Sequence, residues 1–237
     1  KTLTYTIAAS AGANGSIDPA SAVVNYNGSQ LFTATPSTGY EVDKWSVDGS
    51  EVQTGGTTYT LSTITANHTV AVSFKILTYT VTGSAGANGS IDPASDITRD
   101  YGSSQLFTAS PSTGYEVDKW SVDSSEVQTG GTTYTLSNIT AEHTVAVSFK
   151  ILTYQVTASS GTNGSIDPAG AVVNYNGSQL FTATTDAGYE VDKWTVDGAD
   201  TQTGGTTYTL SNITAIHTVA VSFKILTYTV TGSAGAN

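Results

Sequence analysis

The sequence repeats itself three times, and this repetition constrains the fold more than any other feature. The tripeptide Leu-Thr-Tyr begins at Leu3, Leu77, Leu152 and Leu226, at spacings of 74, 75 and 74 residues. One tryptophan and one histidine also recur in each period. A unit of this length can bury a core of its own and is too long for one rung of a solenoid. The chain is therefore predicted to be a tandem array of small domains.

The period sets the domain boundaries. We predict repeat 1 at residues 1–76, repeat 2 at 77–151 and repeat 3 at 152–225. Residues 226–237 would be the first strand of a partial fourth repeat. Because the sequence stops inside that copy, the parent protein is expected to contain further repeats.

Each repeat has the sequence pattern of an all-β domain. No apolar pattern of helical period persists over the length that a helix needs. Thr, Val, Tyr and Ile instead alternate in short runs between Gly, Asn and Asp, which predicts strands separated by turns. In repeat 1 the predicted strands are 3–10, 22–26, 29–36, 40–48, 57–62 and 68–76.

Turn signals lie between these strands. Asn14-Gly15, Asn27-Gly28 and Asp48-Gly49 are predicted to form hairpin turns, because both residue types tolerate positive φ. Gly55-Gly56 indicates a looser turn. Proline cannot donate to a β-ladder, so Asp18-Pro19 is expected to end a strand.

One strand changes the parity of its apolar residues. Tyr40 and Val42 occupy even positions, whereas Trp45 and Val47 occupy odd ones. A strand that buries both pairs needs one extra residue between them, so we predict a β-bulge near Asp43. The same bulge is predicted near Asp118 and Asp192.

Adjacent repeats are predicted to share a strand. Residues 68–81 contain no Gly, Pro or Ser-rich linker, and their apolar parity switches between Ile76 and Leu77. A continuous strand with this switch presents its two apolar halves to opposite sides. The predicted inter-repeat junction residues are Ile76, Leu77, Ile151, Leu152, Ile225 and Leu226. Without a flexible linker, the array should be a stiff rod.

Alternation also predicts which aromatic residues face inward, and core packing explains most of them better than ligand binding. The predicted structural core is Tyr5, Phe32, Trp45, Tyr59, Phe74, Tyr79, Phe107, Trp120, Tyr134, Phe149, Tyr154, Phe181, Trp194, Tyr208 and Phe223. Tyr26, Tyr101 and Tyr175 lie next to a turn and are not part of this predicted core.

Composition argues against several classes of function. The chain has no cysteine, which excludes disulfides, zinc–thiolate sites and thiol nucleophiles. Its net charge of −11 argues against a nucleic-acid partner, which requires a basic face. No apolar run is long enough to span a membrane. We expect no cofactor and no resident metal.

Isolated polar groups leave minor alternatives open. The lone histidine of each repeat, His68 in repeat 1, is more typical of a turn than of a metal site or a catalytic triad. The pair Glu41 and Asp43 could hold calcium or serve as acid and base, although a solvated strand edge explains it more simply. Lys44 beside Trp45 could form an isopeptide crosslink, but such a lysine more often covers the ring with its stem.

Four segments of repeat 1 together resemble a known family. They are Asn-Gly-Ser-Ile at 14–17, Tyr-Asn-Gly-Ser-Gln-Leu-Phe at 26–32, Gly-Tyr-Glu-Val-Asp-Lys-Trp-Ser-Val-Asp-Gly at 39–49, and Tyr-Thr-Leu-Ser-Thr-Ile-Thr-Ala-Asn-His-Thr-Val-Ala-Val-Ser-Phe at 59–74. The repeat is similar to the divergent InlB B-repeat family of bacterial surface and secreted proteins. The resemblance implies a compact domain related to a β-grasp, used in tandem on cell surfaces, without catalytic residues. The expected fold is therefore a small β domain, either β-grasp-like without the crossing helix or a small β-sandwich or roll.

The principal hypothesis for function is structural. These features predict a non-catalytic, extracellular stalk or fibre of a bacterial surface protein, whose partners are the neighbouring repeats of the same chain. A second hypothesis is filament assembly, in which the strand at Leu226–Gly232 adds to another copy. A third is a multivalent module that binds surface glycans weakly and gains avidity from repetition.

Overall fold

The protein is described by a computed structural model that covers residues 1–232. This part of the chain contains no helix and forms three units of eight strands. In repeat 1 the strands are β1 Thr4–Ala11, β2 Gly15–Asp18, β3 Ser21–Asn25, β4 Gln30–Pro36, β5 Tyr40–Val47, β6 Ser50–Thr54, β7 Thr58–Leu61 and β8 His68–Ile76.

The other two repeats follow the same order. Repeat 2 contains β9 Thr78–Ala85, β10 Gly89–Asp92, β11 Asp96–Asp100, β12 Gln105–Pro111, β13 Tyr115–Val122, β14 Ser125–Thr129, β15 Thr133–Leu136 and β16 His143–Ile151. Repeat 3 contains β17 Thr153–Ser160, β18 Gly164–Asp167, β19 Gly170–Asn174, β20 Gly177–Thr185, β21 Tyr189–Val196, β22 Ala199–Thr203, β23 Thr207–Ile213 and β24 His217–Ile225.

Each repeat folds into a large and a small sheet. In repeat 1 the five-stranded sheet has the order β3-β1-β8-β5-β6, and the three-stranded sheet has the order β2-β4-β7. The central pair, β1 and β8, is parallel, and all other pairs are antiparallel. A first and a last strand paired in parallel at the centre of a mixed sheet are typical of a β-grasp. The described residues form strands and no helix, so the all-β prediction is confirmed.

The core of each repeat lies between its two sheets. Trp45 on β5 and Phe32 on β4 are completely buried. The Trp45 ring stacks on Tyr59 with ring centroids 5.8 Å apart, and its Nε1 donates to the Gly56 carbonyl at 3.0 Å. This hydrogen bond satisfies the one polar atom that the buried indole carries.

The remaining aromatic residues of the predicted core lie at its margin. The equivalent Trp and Phe residues of repeats 2 and 3 are also fully buried, namely Trp120, Phe107, Trp194 and Phe181. The other nine are only partly buried and pack against the core from its edge: Tyr5, Tyr59, Phe74, Tyr79, Tyr134, Phe149, Tyr154, Tyr208 and Phe223.

The predicted bulge is confirmed in all three repeats. Val42 pairs with Phe74 and Lys44 pairs with Ser73, so Asp43 has no partner of its own in the ladder. The same shift occurs between Val117 and Lys119 and between Val191 and Lys193. The extra residue allows Val42 and Trp45 to face the same core.

Only one of the three predicted hairpins forms. Asp48-Gly49 joins β5 to β6 with both residues at positive φ, 49° and 82°. Asn14 and Asn27 also adopt positive φ, but their turns connect strands that belong to different sheets. The hairpin predictions at these two turns are therefore wrong, because positive φ reverses the chain without deciding which strands then pair.

Two short strands were missed. β2, at Gly15–Asp18, contains a turn-forming Gly-Ser at its start and ends at Asp18-Pro19, as the proline predicts. β6, at Ser50–Thr54, is polar and largely exposed at the sheet edge. Neither strand has the apolar alternation on which the prediction depended.

Candidate functional site

The main candidate site among the described residues is the junction between adjacent repeats. Leu77 alone separates β8 from β9, and it interrupts the strand that the sequence predicted to be continuous. The two strands belong to different five-stranded sheets. The connection is therefore a single residue between two domains.

Hydrogen bonds hold this residue from both sides. The Leu77 N–H donates to the Gly39 carbonyl of repeat 1 at 2.8 Å, and the Leu77 carbonyl accepts the Tyr101 N–H of repeat 2 at 2.8 Å. Leu152 repeats the arrangement with Gly114 and Tyr175 at 2.9 and 2.8 Å. Each linking peptide thus belongs to the hydrogen-bond pattern of both neighbours, which restricts rotation about it.

The predicted junction residues differ in exposure according to their position. Ile76 and Leu77 at the first junction, and Ile151 and Leu152 at the second, are half-buried. Ile225 is 66% exposed, and Leu3, the counterpart of Leu77, is 58% exposed. Leu226 is half-buried, and its N–H donates to the Gly188 carbonyl at 2.9 Å. Contact with a neighbouring repeat therefore accounts for the extra burial of the isoleucine and the leucine.

The fragment that follows repeat 3 forms no strand over 226–232. The strand predicted at Leu226–Gly232 is therefore not formed, and residues 233–237 lie outside the described residues.

A histidine–aspartate pair is the second candidate. His68 Nδ1 lies 2.6 Å from Asp48 Oδ2, and Asp48 Oδ1 accepts the Thr69 N–H at 2.8 Å. The turn between β5 and β6 is thereby tied to the start of β8. The same contacts occur at His143 and Asp123, and at His217 and Asp197.

The aspartate of this pair is held in its ionised form. The Thr69 backbone N–H lowers the pKa of Asp48 below its usual 3.8, and the hydrogen bond from His68 lowers it further. The Thr144 and Thr218 amides, followed by the adjacent histidines, lower the pKa of Asp123 and Asp197 in the same order. We call this arrangement of Asp48, His68 and Thr69 the latch, because it ties the turn to β8. Its hydrogen bonds do not join a serine or threonine hydroxyl to the imidazole, as a catalytic triad would.

A shallow depression lies beside the latch in repeats 1 and 2. In repeat 1 its wall is formed by Asp48, His68 and Thr69, and the equivalent residues form the wall in repeat 2. The residue at its rim differs: it is Asn67 in repeat 1 and Glu142 in repeat 2. The counterpart in repeat 3 is Ile216, which is 71% exposed. The rim of this depression therefore changes from an amide to a carboxylate between repeats 1 and 2, and its counterpart in repeat 3 is aliphatic.

Charged side chains on β5 pair with oppositely charged side chains on the neighbouring strands β8 and β6. Glu41 lies 3.4 Å from Lys75, and Lys44 lies 3.7 Å from Glu51, with all four side chains about half exposed. Asp43, the bulge residue, accepts a hydrogen bond from Ser73 Oγ at 3.2 Å. Because β5 lies between β8 and β6, these carboxylates do not protect a sheet edge, contrary to the interpretation from sequence.

Two features are absent from residues 1–232. No group of three or more His, Asp or Glu side chains there is arranged to hold a metal ion. Within the same range no helix is long and apolar enough to cross a membrane.

Fold and junction define the class of protein: a tandem array of all-β repeat modules with single-residue connections. The divergent InlB B-repeat domain matches residues 5–77, 79–152 and 154–225, and the chain belongs to that family. The resemblance stated from the sequence is thereby confirmed. Repeats of this family occur in bacterial surface and secreted proteins.

Similarity to solved structures is remote. The Bacillus anthracis TIE protein aligns at 9% identity with a TM-score of 0.38, covering 94% of this chain and 51% of its own. The pilus adhesin SpaC from Lactobacillus rhamnosus GG, in its open conformation, aligns at 8% identity with a TM-score of 0.20, covering 97% and 44%. The chain thus spans about half the length of these proteins. No curated protein matches the sequence.

Proposed function

We propose that this chain is a non-catalytic stalk segment of an extracellular bacterial surface protein. In this role the repeats hold another part of the protein at a fixed distance and orientation from the cell. Family membership supports the surface location, because divergent InlB B-repeats occur in surface and secreted proteins.

The observation that carries the proposal is the hydrogen-bonded linker. Leu77 donates to repeat 1 and accepts from repeat 2, and Leu152 does the same one repeat later. Flexible linkers leave their backbone groups to solvent, and their domains reorient freely. A linker bonded on both sides transmits orientation, which a stalk requires and a tether lacks.

The surface suits the same role. The net charge of −11 keeps neighbouring copies apart, and the lysine–glutamate pairs keep the outer face of β5 polar. Each repeat contains its own Trp-centred core, so lengthening the array requires only another copy.

Small-angle X-ray scattering of the 237-residue protein tests the proposal. A compact globule of this length has a radius of gyration of about 18 Å. We expect a clearly larger radius and a pair-distance distribution with the long tail of a rod. A radius near the compact value would overturn the stalk proposal.

A further inference from the structure

A tyrosine from each following repeat lies against a glycine of the repeat before it. Gly39, in the turn between β4 and β5, is buried, and a Cβ added to it would lie 2.5 Å from Cδ1 of Tyr101. Gly114 is likewise buried, and its Cβ would collide with the ring of Tyr175. The two junctions, which differ in sequence nearby, thus make the same contact.

Repeats 3 and 1 each show one half of this contact without its partner. Gly188 is the counterpart of Gly39 in repeat 3 and has nearly the same φ (84° against 82°). Among residues 1–232, no atom outside its chain neighbours lies within 4 Å of a Cβ added to it. Gly188 is exposed. Tyr26, the counterpart of Tyr101 in repeat 1, is 53% exposed, whereas Tyr101 and Tyr175 are half-buried.

In repeats 1 and 2 the turn tyrosine packs in the same way on a tyrosine of its own repeat. The rings of Tyr5 and Tyr26 lie 6.5 Å apart at 48°, and those of Tyr79 and Tyr101 lie 6.5 Å apart at 47°. The ring is therefore already oriented before a preceding repeat is considered. A preorganised aromatic ring that docks on bare backbone buries apolar area at a low cost in side-chain entropy.

We propose that this surface, the tyrosine–glycine clasp, is the docking site through which each repeat stabilises its neighbour. Its partner is the turn tyrosine of another repeat of the same kind. A side chain at Gly39 or Gly114 would occupy the place of the ring, in addition to the strain that it would meet at positive φ. The inference rests on the proposed stalk and names the contact that couples its units. The stability of such an array is approximately the sum of the intrinsic stability of each repeat and the stabilisation from each interface between neighbours. The clasp contributes to the stabilisation from the interface.

Two matched glycine variants of the full chain test the proposal. Gly39→Ala and Gly188→Ala impose the same strain at positive φ, but only Gly39→Ala displaces a tyrosine. Hydrogen exchange measures the effect of each variant. Gly39→Ala should accelerate amide exchange in β8 and β9, and Gly188→Ala should accelerate it in β24. The first acceleration should be about tenfold greater than the second, which is the size expected for one aromatic contact. Equal effects at the two sites would overturn the proposal.

A matched tyrosine pair gives an independent reading that does not depend on backbone strain. Tyr101→Ala and Tyr26→Ala each remove a ring that packs on a tyrosine of its own repeat, but only Tyr101 also contacts a preceding repeat. We expect Tyr101→Ala to increase exchange in both β8 and β9, and Tyr26→Ala to affect repeat 1 alone. Tyr101→Phe, which keeps the ring, should retain protection.

The outcomes separate this proposal from the stalk itself. A rod-like particle in which the two glycine variants behave alike would leave the stalk standing and remove the clasp. A compact particle by scattering would remove the stalk, whatever the glycine variants show.

Discussion

At the scale of single residues, the pair formed by Asp48 and His68 makes stability depend on pH. The Thr69 amide and His68 lower the pKa of Asp48, so folding favours its ionised form. A lowered pKa in the folded state contributes stability that is fully present above the unfolded value near 3.8. That contribution is lost as pH falls through the lowered folded value. The equivalent aspartates in repeats 2 and 3 act in the same direction.

We therefore expect the triple variant D48N/D123N/D197N to melt at a lower temperature than the native protein at pH 7. The difference should shrink as pH falls below 4, because the native aspartates then become protonated as well. Thermal melts followed by circular dichroism between pH 2 and 7 measure this. The control D18N/D92N/D167N removes three exposed carboxylates for which the structure shows no hydrogen bond. A pH-independent difference for the first variant would contradict the prediction.

At the scale of elements, the hairpin that joins β13 to β14 carries a natural defect. Its counterpart in repeat 1 uses Asp48-Gly49, whereas repeat 2 has Asp123-Ser124 with both residues at positive φ, 48° and 69°. A non-glycine residue in this region is strained by its Cβ. Repeat 2 thus contains one turn residue that repeats 1 and 3 avoid.

Replacing Ser124 with glycine should stabilise repeat 2 by about 0.5–1 kcal/mol, since relief of αL strain outweighs the added freedom of the unfolded chain. Hydrogen exchange in β13 and β14 measures the gain, with the unchanged hairpins of repeats 1 and 3 as internal references. The reverse substitution, Gly49→Ser, should destabilise repeat 1 by a similar amount. Faster exchange in S124G would show that the serine makes a favourable contact instead.

The elements also show what the sequence could and could not predict. Parity located the bulge at Asp43 because burial of both Val42 and Trp45 is a local requirement that only an inserted residue can meet. The pairing partners of β2 and β3 were not accessible to that reasoning. Asn14 and Asn27 indicate a reversal of the chain, but the choice of sheet depends on packing between the two sheets, which local pattern does not contain.

At the scale of the whole molecule, repetition predicted the number of units but not the contact between them. The missing linker was visible in the run from His68 to Val81. Tyr101 and Gly39 were not recognisable as partners, because the same two residue types recur in every unit whether or not a neighbour is present. Only comparison of Gly39 with the exposed Gly188 distinguishes a docking residue from an ordinary turn residue.

The linker between repeats sets this arrangement at the same scale. Inserting Gly-Ser-Gly between Ile76 and Leu77 would separate β8 from β9. Leu77 could then no longer keep both its hydrogen bond to Gly39 of repeat 1 and its hydrogen bond from Tyr101 of repeat 2. Flexible residues of this kind allow free reorientation. Since the chain has no cysteine, spin labels at T33C and T108C, two exposed and equivalent positions, report one inter-repeat distance by pulsed electron paramagnetic resonance.

The native protein should give a narrow distance distribution and the insertion variant a broad one. The same insertion between Ile225 and Leu226 is the matched control, because it lengthens the chain equally without separating two complete repeats. That control should leave the distribution narrow. A narrow distribution in both variants would mean that side-chain contacts between repeats hold the orientation without the linker, and a broad one in the native protein would mean that the linker peptide does not fix orientation at all.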